Sequence, residues 1–223
     1  MSLVDRLKKA REEGTTKSLH DETYWKTHDE MLGDKMAAAI DKFNFIRGHI
    51  RQGFKTLLDI GCGHGHFVAK CRKETIEAQG IDISEYALEH ACEEAKPYLK
   101  NMSVAKMDFL EDSFGLVAAL DICEHLFLNE LEKAIPEISR VAKNFIVLRL
   151  PTPIWQGEPW VADYSRYGKL VESHVSVYPW EFWAKRFTAL GKFRWLQTQL
   201  IQGISMETGL LYETATTWII FGK

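Results

Sequence analysis

The chain has 223 residues, 46% apolar and 26% charged, and carries a formal net charge of −3. That length and balance suit one soluble globular domain with a full core. The acidic excess excludes a bulk electrostatic pull toward nucleic acid or anionic membrane, and no apolar run approaches the roughly 20 residues that a membrane span needs.

The opening MSLVDRLKKAREEG lacks the apolar stretch of a signal peptide. Cys62, Cys71, Cys92 and Cys123 show no C-x-x-C pairing and read as reduced thiols, so a cytoplasmic location is expected. Residues 1–52 read as an N-terminal helical or lid segment, polar at first, then with Met36, Ile40, Phe43 and Ile50 on one helical face. Lys55–Ile60 is expected to be a buried strand, followed by a short helix from His66 and a second strand over Glu77–Ile83. Ser84 is a candidate N-cap for a helix with Leu88, Ala91, Cys92 and Ala95 on its apolar face, ended by Pro97.

Two short apolar segments follow, Met102–Met107 and Gly115–Asp121, then a helix carrying Leu131, Ala134, Ile135, Ile138 and Val141 with a kink or split expected near Pro136. Asn144–Leu150 is a near-continuous apolar run, as in a strand covered on both faces. Strands alternating with helices imply an α/β fold, a parallel sheet wound on both faces. Residues 53–150 are thus read as the ligand-binding core, 151–178 as an aromatic cap insertion, and 179–223 as a helix near Trp180–Leu190 with strands near 192–200 and 213–221.

The first strand runs into Leu57-Leu58-Asp59-Ile60-Gly61-Cys62-Gly63-His64-Gly65. A glycine turn between strand and helix lets a ligand approach the main chain, and its amides suit an anionic group. The spacing is not the dinucleotide G-x-G-x-x-G, because His66 stands where the last glycine would fall. The second strand ends at Asp82, 21 positions after Gly61, a separation that brings a carboxylate onto ribose hydroxyls. Turn and carboxylate together suggest an adenosine-type cofactor.

These residues resemble the class I S-adenosylmethionine-dependent methyltransferases, whose first motif is an acid-ended strand running into G-x-G-x-G. The resemblance spans roughly residues 55–150. It implies a doubly wound, Rossmann-like sheet of seven strands, mostly parallel with the last antiparallel. It implies S-adenosylmethionine as cofactor and S-adenosylhomocysteine as product. Asp59, Gly61, Cys62, Gly63 and Gly65 would then form the cofactor loop, Asp82 with Ile83 would hold the ribose, and Asp108 and Phe109 would meet the adenine. Asp121-Ile122-Cys123-Glu124-His125 is similar to the family's fourth-strand end, which makes Asp121 a further cofactor candidate.

A hydroxyl acceptor must lose a proton. His125, just beyond the fourth strand, is the first candidate base and His174, in HVSVY, the second. Glu124 is a candidate for orienting His125 or binding substrate, and Tyr24, Trp25, Trp155, Trp160 and Tyr164 for closing over an acceptor. No metal is assigned. Cys62-x-His64-x-His66-x₄-Cys71 offers zinc-type atoms at a spacing that would destroy the cofactor turn. Asp121-x-x-Glu124-His125 with His174 is similar to the E-x-x-E-H…H metal site of small-RNA 2′-O-methyltransferases, with Asp in place of the first Glu. The expected function is methyl transfer to an oxygen or nitrogen of a small-molecule acceptor, with no membrane partner. The alternatives are a metal-assisted RNA 2′-O-methyltransferase, a non-catalytic S-adenosylmethionine-binding module and a nicotinamide-dependent oxidoreductase. Oligomeric state is not legible.

Overall fold

The computed structural model describes residues 3–31, 34–153, 174–204 and 211–223. Three N-terminal helices, α1 (Leu3–Glu13), α2 (Glu22–Met31) and α3 (Lys35–His49), precede the sheet. The core then runs β1 (Thr56–Ile60), α4 (His66–Lys73), β2 (Glu77–Asp82), α5 (Glu85–Glu89), β3 (Leu99–Asn101), β4 (Phe114–Leu120), α6 (Leu128–Val141) and β5 (Ala142–Pro153). It closes with α7 (Trp180–Thr188), β6 (Arg194–Ile204) and β7 (Leu211–Gly222).

The seven strands lie in the order β3-β2-β1-β4-β5-β7-β6. Strands β1 to β5 pair in parallel, and β7 runs antiparallel to both β5 and β6. The order reverses between β1 and β4, and a crevice forms outside the carboxyl ends of strands at such a switch point. Alternation along β1 sends Leu57 and Leu58 into different cores. Leu57 packs with Phe43, Ile46, Phe67 and Val68 under α3 and α4. Leu58 packs with Leu131, Ile135, Ile138, Trp183 and Phe187 under α6 and α7. Both faces of β4 are buried along its whole length, which is why its sequence shows no polar alternation.

Four expectations need correction. Helix α3 buries Ala39, Phe43 and Ile46, while Ile40 is exposed. Helix α5 has only five residues, and Pro97 sits in a separate 3₁₀ turn, Lys96–Tyr98. The backbone of 91–95 bends instead because the Cys92 N–H donates to the His64 carbonyl at 2.9 Å. Met102–Met107 is not a strand: β3 ends at Asn101. That segment finds its partners on α6, where the Glu137 carboxylate accepts from the Met107 N–H at 2.8 Å and Arg140 donates to the carbonyls of Met107 and Phe109. Finally, α6 runs unbroken through Pro136, so packing of its apolar stripe outweighs one missing backbone donor.

Candidate functional site at the carboxyl ends of β1 and β4

The loop after β1 has Gly61 at φ 70°, Gly63 at φ 51° and Gly65 at φ 78°. The amides of Gly61 and Cys62 both donate to the Ile81 carbonyl, at 2.8 and 3.0 Å. A Cβ on Gly61 would come within 2.9 Å of the Ile122 side chain, and one on Gly63 within 2.8 Å of the Trp25 indole. Bare backbone is therefore required by the left-handed torsions and by close neighbours together. Gly65 is pressed against Ala95 and Leu99, where a Cβ would sit 2.6 Å from the Ala95 methyl. The Cys62 side chain turns into the core beneath Gly80, and burial pushes its thiol up.

Asp82 ends β2 with its carboxylate already engaged. One oxygen accepts from the Gly63 N–H at 2.8 Å and the other from the Ser84 N–H at 2.8 Å. Burial raises its carboxyl against these bonds. Asp59, buried in β1 opposite Gly80, is pushed up to about 7 by burial, against the pull of Lys42.

Asp121 follows β4 at φ 62°, a torsion that Asp tolerates better than most residues. Its Oδ2 is ion-paired to Arg149 on β5 and to Lys42 on α3, the latter at 3.0 Å. Burial would raise this carboxyl, but the two cations outweigh it and hold it below its ordinary value. Cys123–His125 then forms a 3₁₀ turn whose Glu124 carbonyl accepts the N–H groups of Val175 and Ser176 at 2.8 and 3.0 Å. Those two bonds pin the distant HVSVY segment beside the turn, so that the rings of His125 and His174 lie 4.7 Å apart. Glu124 is 1% exposed, and its Oε2 has no hydrogen-bond partner among the described residues. Burial and the Asp121 charge hold the Glu124 carboxyl well above its ordinary range, and burial lowers His174 to about 4.

The N-terminal segment covers this edge of the sheet. Glu130, at the start of α6, accepts from the Thr16 N–H with one oxygen and from the Phe127 N–H with the other. Asn129 donates to the Gly14 carbonyl. So tethered, His20 lies 5.2 Å from the His125 ring and 4.8 Å from that of Tyr24. On α2, Asp29 reaches His64 Nε2 at 3.0 Å, which lays Trp25 across the glycine loop.

A cavity joins these parts. It is lined by Gly61, Asp82 and Ile83 from the first two strand ends, by Asp121 and His125 beyond β4, and by Tyr24 and Trp25 from α2. Residues 58–145 match the family model described as "Methyltransferase domain". That match runs from β1 to the start of β5, and the fold as a whole is the one seen in solved S-adenosylmethionine-dependent methyltransferases.

Solved structures similar to this chain include the [4+2]-cyclase SpnF, at TM-score 0.67 and 16% identity, covering 86% of this chain and 84% of that one. A SAM-dependent methyltransferase from Archaeoglobus fulgidus aligns at TM-score 0.64 and 19% identity over 90% and 99% of the two chains. The magnesium protoporphyrin IX methyltransferase ChlM from Synechocystis PCC 6803, with bound SAH, gives 0.61 and 14% over 84% and 82%. These likenesses concern the fold. A curated relative, the Arabidopsis thaliana protein named "Probable pectin methylesterase CGR2", is 28% identical over 123 residues, 52% of this chain and 46% of that protein. The chain thus aligns with about half the length of that relative.

Of the residues picked from sequence, the cavity brings Tyr24, Trp25, Gly61, Asp82, Ile83, Asp121 and His125 together. Glu124 and His174 lie close to His125 but outside the lining. Asp59, Cys62, Gly63 and Gly65 support the loop from outside the lining, and Asp108 is exposed, also outside it. Phe109 packs edge-on against Phe114, and residues 102–105 line the cavity on that side instead. Trp155, Trp160 and Tyr164 lie outside the described residues. Thr16, His20, Lys42 and Arg149 were missed. Arg149 had a signal, a lone cation inside the apolar run NFIVLRL; Lys42 had none. Among the described residues no helix is long and apolar enough to cross a membrane.

Proposed function

We propose that this domain transfers a methyl group from S-adenosylmethionine to an oxygen or nitrogen of a small-molecule acceptor in the cytoplasm. The observation that carries the reading is the cavity itself, which places the Asp82 and Gly61 side next to His125, Tyr24 and Asp121.

The residues fit the cofactor. Asp82 is fixed by two amides at 2.8 Å and keeps lone pairs for ribose hydroxyls, since a carboxylate has about four acceptor sites. The bare loop at Gly61 leaves room at the main chain for the methionine portion, with Asp59 and Asp121 as the nearby acids for its ammonium. Ser103, Val104 and Ala105, which line the cavity beyond Asp82, take the adenine, with Asp108 and Phe109 flanking that edge. Bound there, S-adenosylmethionine supplies a methyl carbon already activated by its sulfonium.

The chain's own work is then to exclude water, orient the acceptor and handle its proton. Orientation is worth up to about 7–11 kcal/mol in principle, and proton removal about 10²–10⁴-fold. Trp25 and Tyr24 supply the cover, and the Glu124, His125 and His174 group supplies the place where the acceptor's proton is lost.

The similarity to SpnF, named a [4+2]-cyclase, means that the fold alone does not fix the reaction. What supports methyl transfer here is the proton-handling group against the cavity, which a module that only binds the cofactor would not need. The formal charge of −3 favours a small acceptor over RNA. A methyl-transfer screen against sugars, phenols and amines, with short RNAs alongside, tests the reading. Transfer to a small acceptor, lowered by His125→Ala with cofactor affinity kept, supports it; transfer to RNA alone, or full activity of His125→Ala, contradicts it.

A further inference from the structure

We infer that Glu124, His125 and His174 bind a first-row divalent cation, and that this cation receives the hydroxyl oxygen of the acceptor. The inference rests on the methyl-transfer reading and narrows its acceptor to an oxygen.

One ligand atom from each of the three side chains can be chosen so that all lie within 4.8 Å of one another. Bonds of about 2.0–2.2 Å to a common cation set its ligands roughly 3–3.5 Å apart, so modest side-chain rotations close the site. The scaffold is fixed for that purpose. The two amides on the Glu124 carbonyl hold residues 174–176 against the 3₁₀ turn, across some fifty residues of sequence. Glu124 is 1% exposed, with Oε2 unpartnered among the described residues. A buried carboxyl oxygen left without a hydrogen-bond partner is costly, and a cation, by displacing the proton, would satisfy it. His125 lines the cavity, so the vacant coordination positions open toward the acceptor rather than into the core.

The donor set names the class of ion. Two imidazoles and one carboxylate leave open positions and suit zinc, iron, cobalt or manganese, whereas magnesium and calcium prefer oxygen-only sites. A cation there would lower the pKa of a bound hydroxyl toward neutrality. The hydroxyl proton leaves to water, and an oxygen lone pair forms the new O–C bond. The S–C bond breaks as it forms, and its electron pair stays on sulfur, giving the neutral thioether. The histidines therefore act through the ion.

The test uses the untagged chain, stripped with chelator and titrated with Co²⁺. Bound metal is counted by elemental analysis, and histidine ligation is read from the visible absorption of Co²⁺. S-adenosylhomocysteine is titrated into the same samples. One Co²⁺ per chain is expected, with Mg²⁺ unable to displace it. Loss of a ligand should weaken binding at least about tenfold in Glu124→Gln and in His174→Gln, with S-adenosylhomocysteine affinity unchanged. Because Glu124 is buried and its change risks the fold, His174→Gln carries the decision. Uptake of no stoichiometric Co²⁺, or equal affinity in His174→Gln, overturns the inference. If S-adenosylhomocysteine still binds in that case, the methyl-transfer reading stands; if it does not bind the parent chain, that reading falls first.

Discussion

The Gly63 amide donates to the Asp82 carboxylate at 2.8 Å, so the residue expected to hold the ribose also braces the loop expected to hold the methionine end. Hydrogen bonds to charged groups contribute about 1.5–3 kcal/mol. Asp82→Ala should therefore lower stability by roughly that amount, besides its effect on binding. Urea unfolding without cofactor checks this. An unchanged midpoint would mean that the loop holds its shape without the carboxylate.

Trp25 is the second contact on that loop. A Cβ on Gly63 would meet the indole at 2.8 Å, at a φ of 51°, a torsion costing an ordinary L-residue about 1–2 kcal/mol. Gly63→Ala should weaken S-adenosylhomocysteine binding, and part of the loss should return when Trp25→Ala removes the collision. A double-mutant cycle measures this. Strict additivity would show that α2 does not press on the loop in solution.

Asp59 makes stability depend on pH. Its folded-state carboxyl is raised to about 7 from 3.8, so between those values the folded chain holds a proton that the unfolded chain has released. The slope of unfolding free energy with pH is then negative. This contribution is fully present below about pH 4 and is lost as pH rises through 7. About three units at 1.36 kcal/mol each set its ceiling near 4 kcal/mol. Asp59→Asn should remove that decline. Melts at pH 5 and pH 8 compare the two chains, and parallel pH profiles would contradict the assignment.

Asp121 sits between two cations, Lys42 and Arg149. Asp121→Ala would leave the two cations without the carboxylate that both pair with, whereas Asp121→Ala with Arg149→Leu removes one side of the repulsion. The single change should destabilise more than the double, as read by thermal melting. The reverse order would mean that Arg149 is held mainly by its place over the Trp218 ring, 5.7 Å from its centroid.

Much of this was legible because it is local. Glycine spacing, the acid ending β2, and alternating strands and helices are patterns within a few dozen residues, and the sheet follows from them. Residues 102–107 misled because apolar Val104 and Met107 are buried from an irregular segment whose backbone is satisfied by Glu137 and Arg140. Nothing near residue 102 announces those partners. Lys42 reads as a surface cation on α3, and only the folded chain brings it to Asp121. The approach of His174 to His125 depends on two amides bonded to the Glu124 carbonyl, a contact that sequence spacing cannot specify. The N-terminal cover was expected from Tyr24 and Trp25, but its tethers at Glu130 and Asn129 are tertiary.

Calorimetric titration of the chain and of Asp82→Ala with S-adenosylhomocysteine, with NAD as control, probes the cofactor cleft most directly. The account predicts one S-adenosylhomocysteine per chain, at least about tenfold weaker binding in Asp82→Ala, since a lost charged bond is worth 1.5–3 kcal/mol, and no NAD binding. Tight NAD binding without S-adenosylhomocysteine, or equal affinity in the two chains, would contradict it.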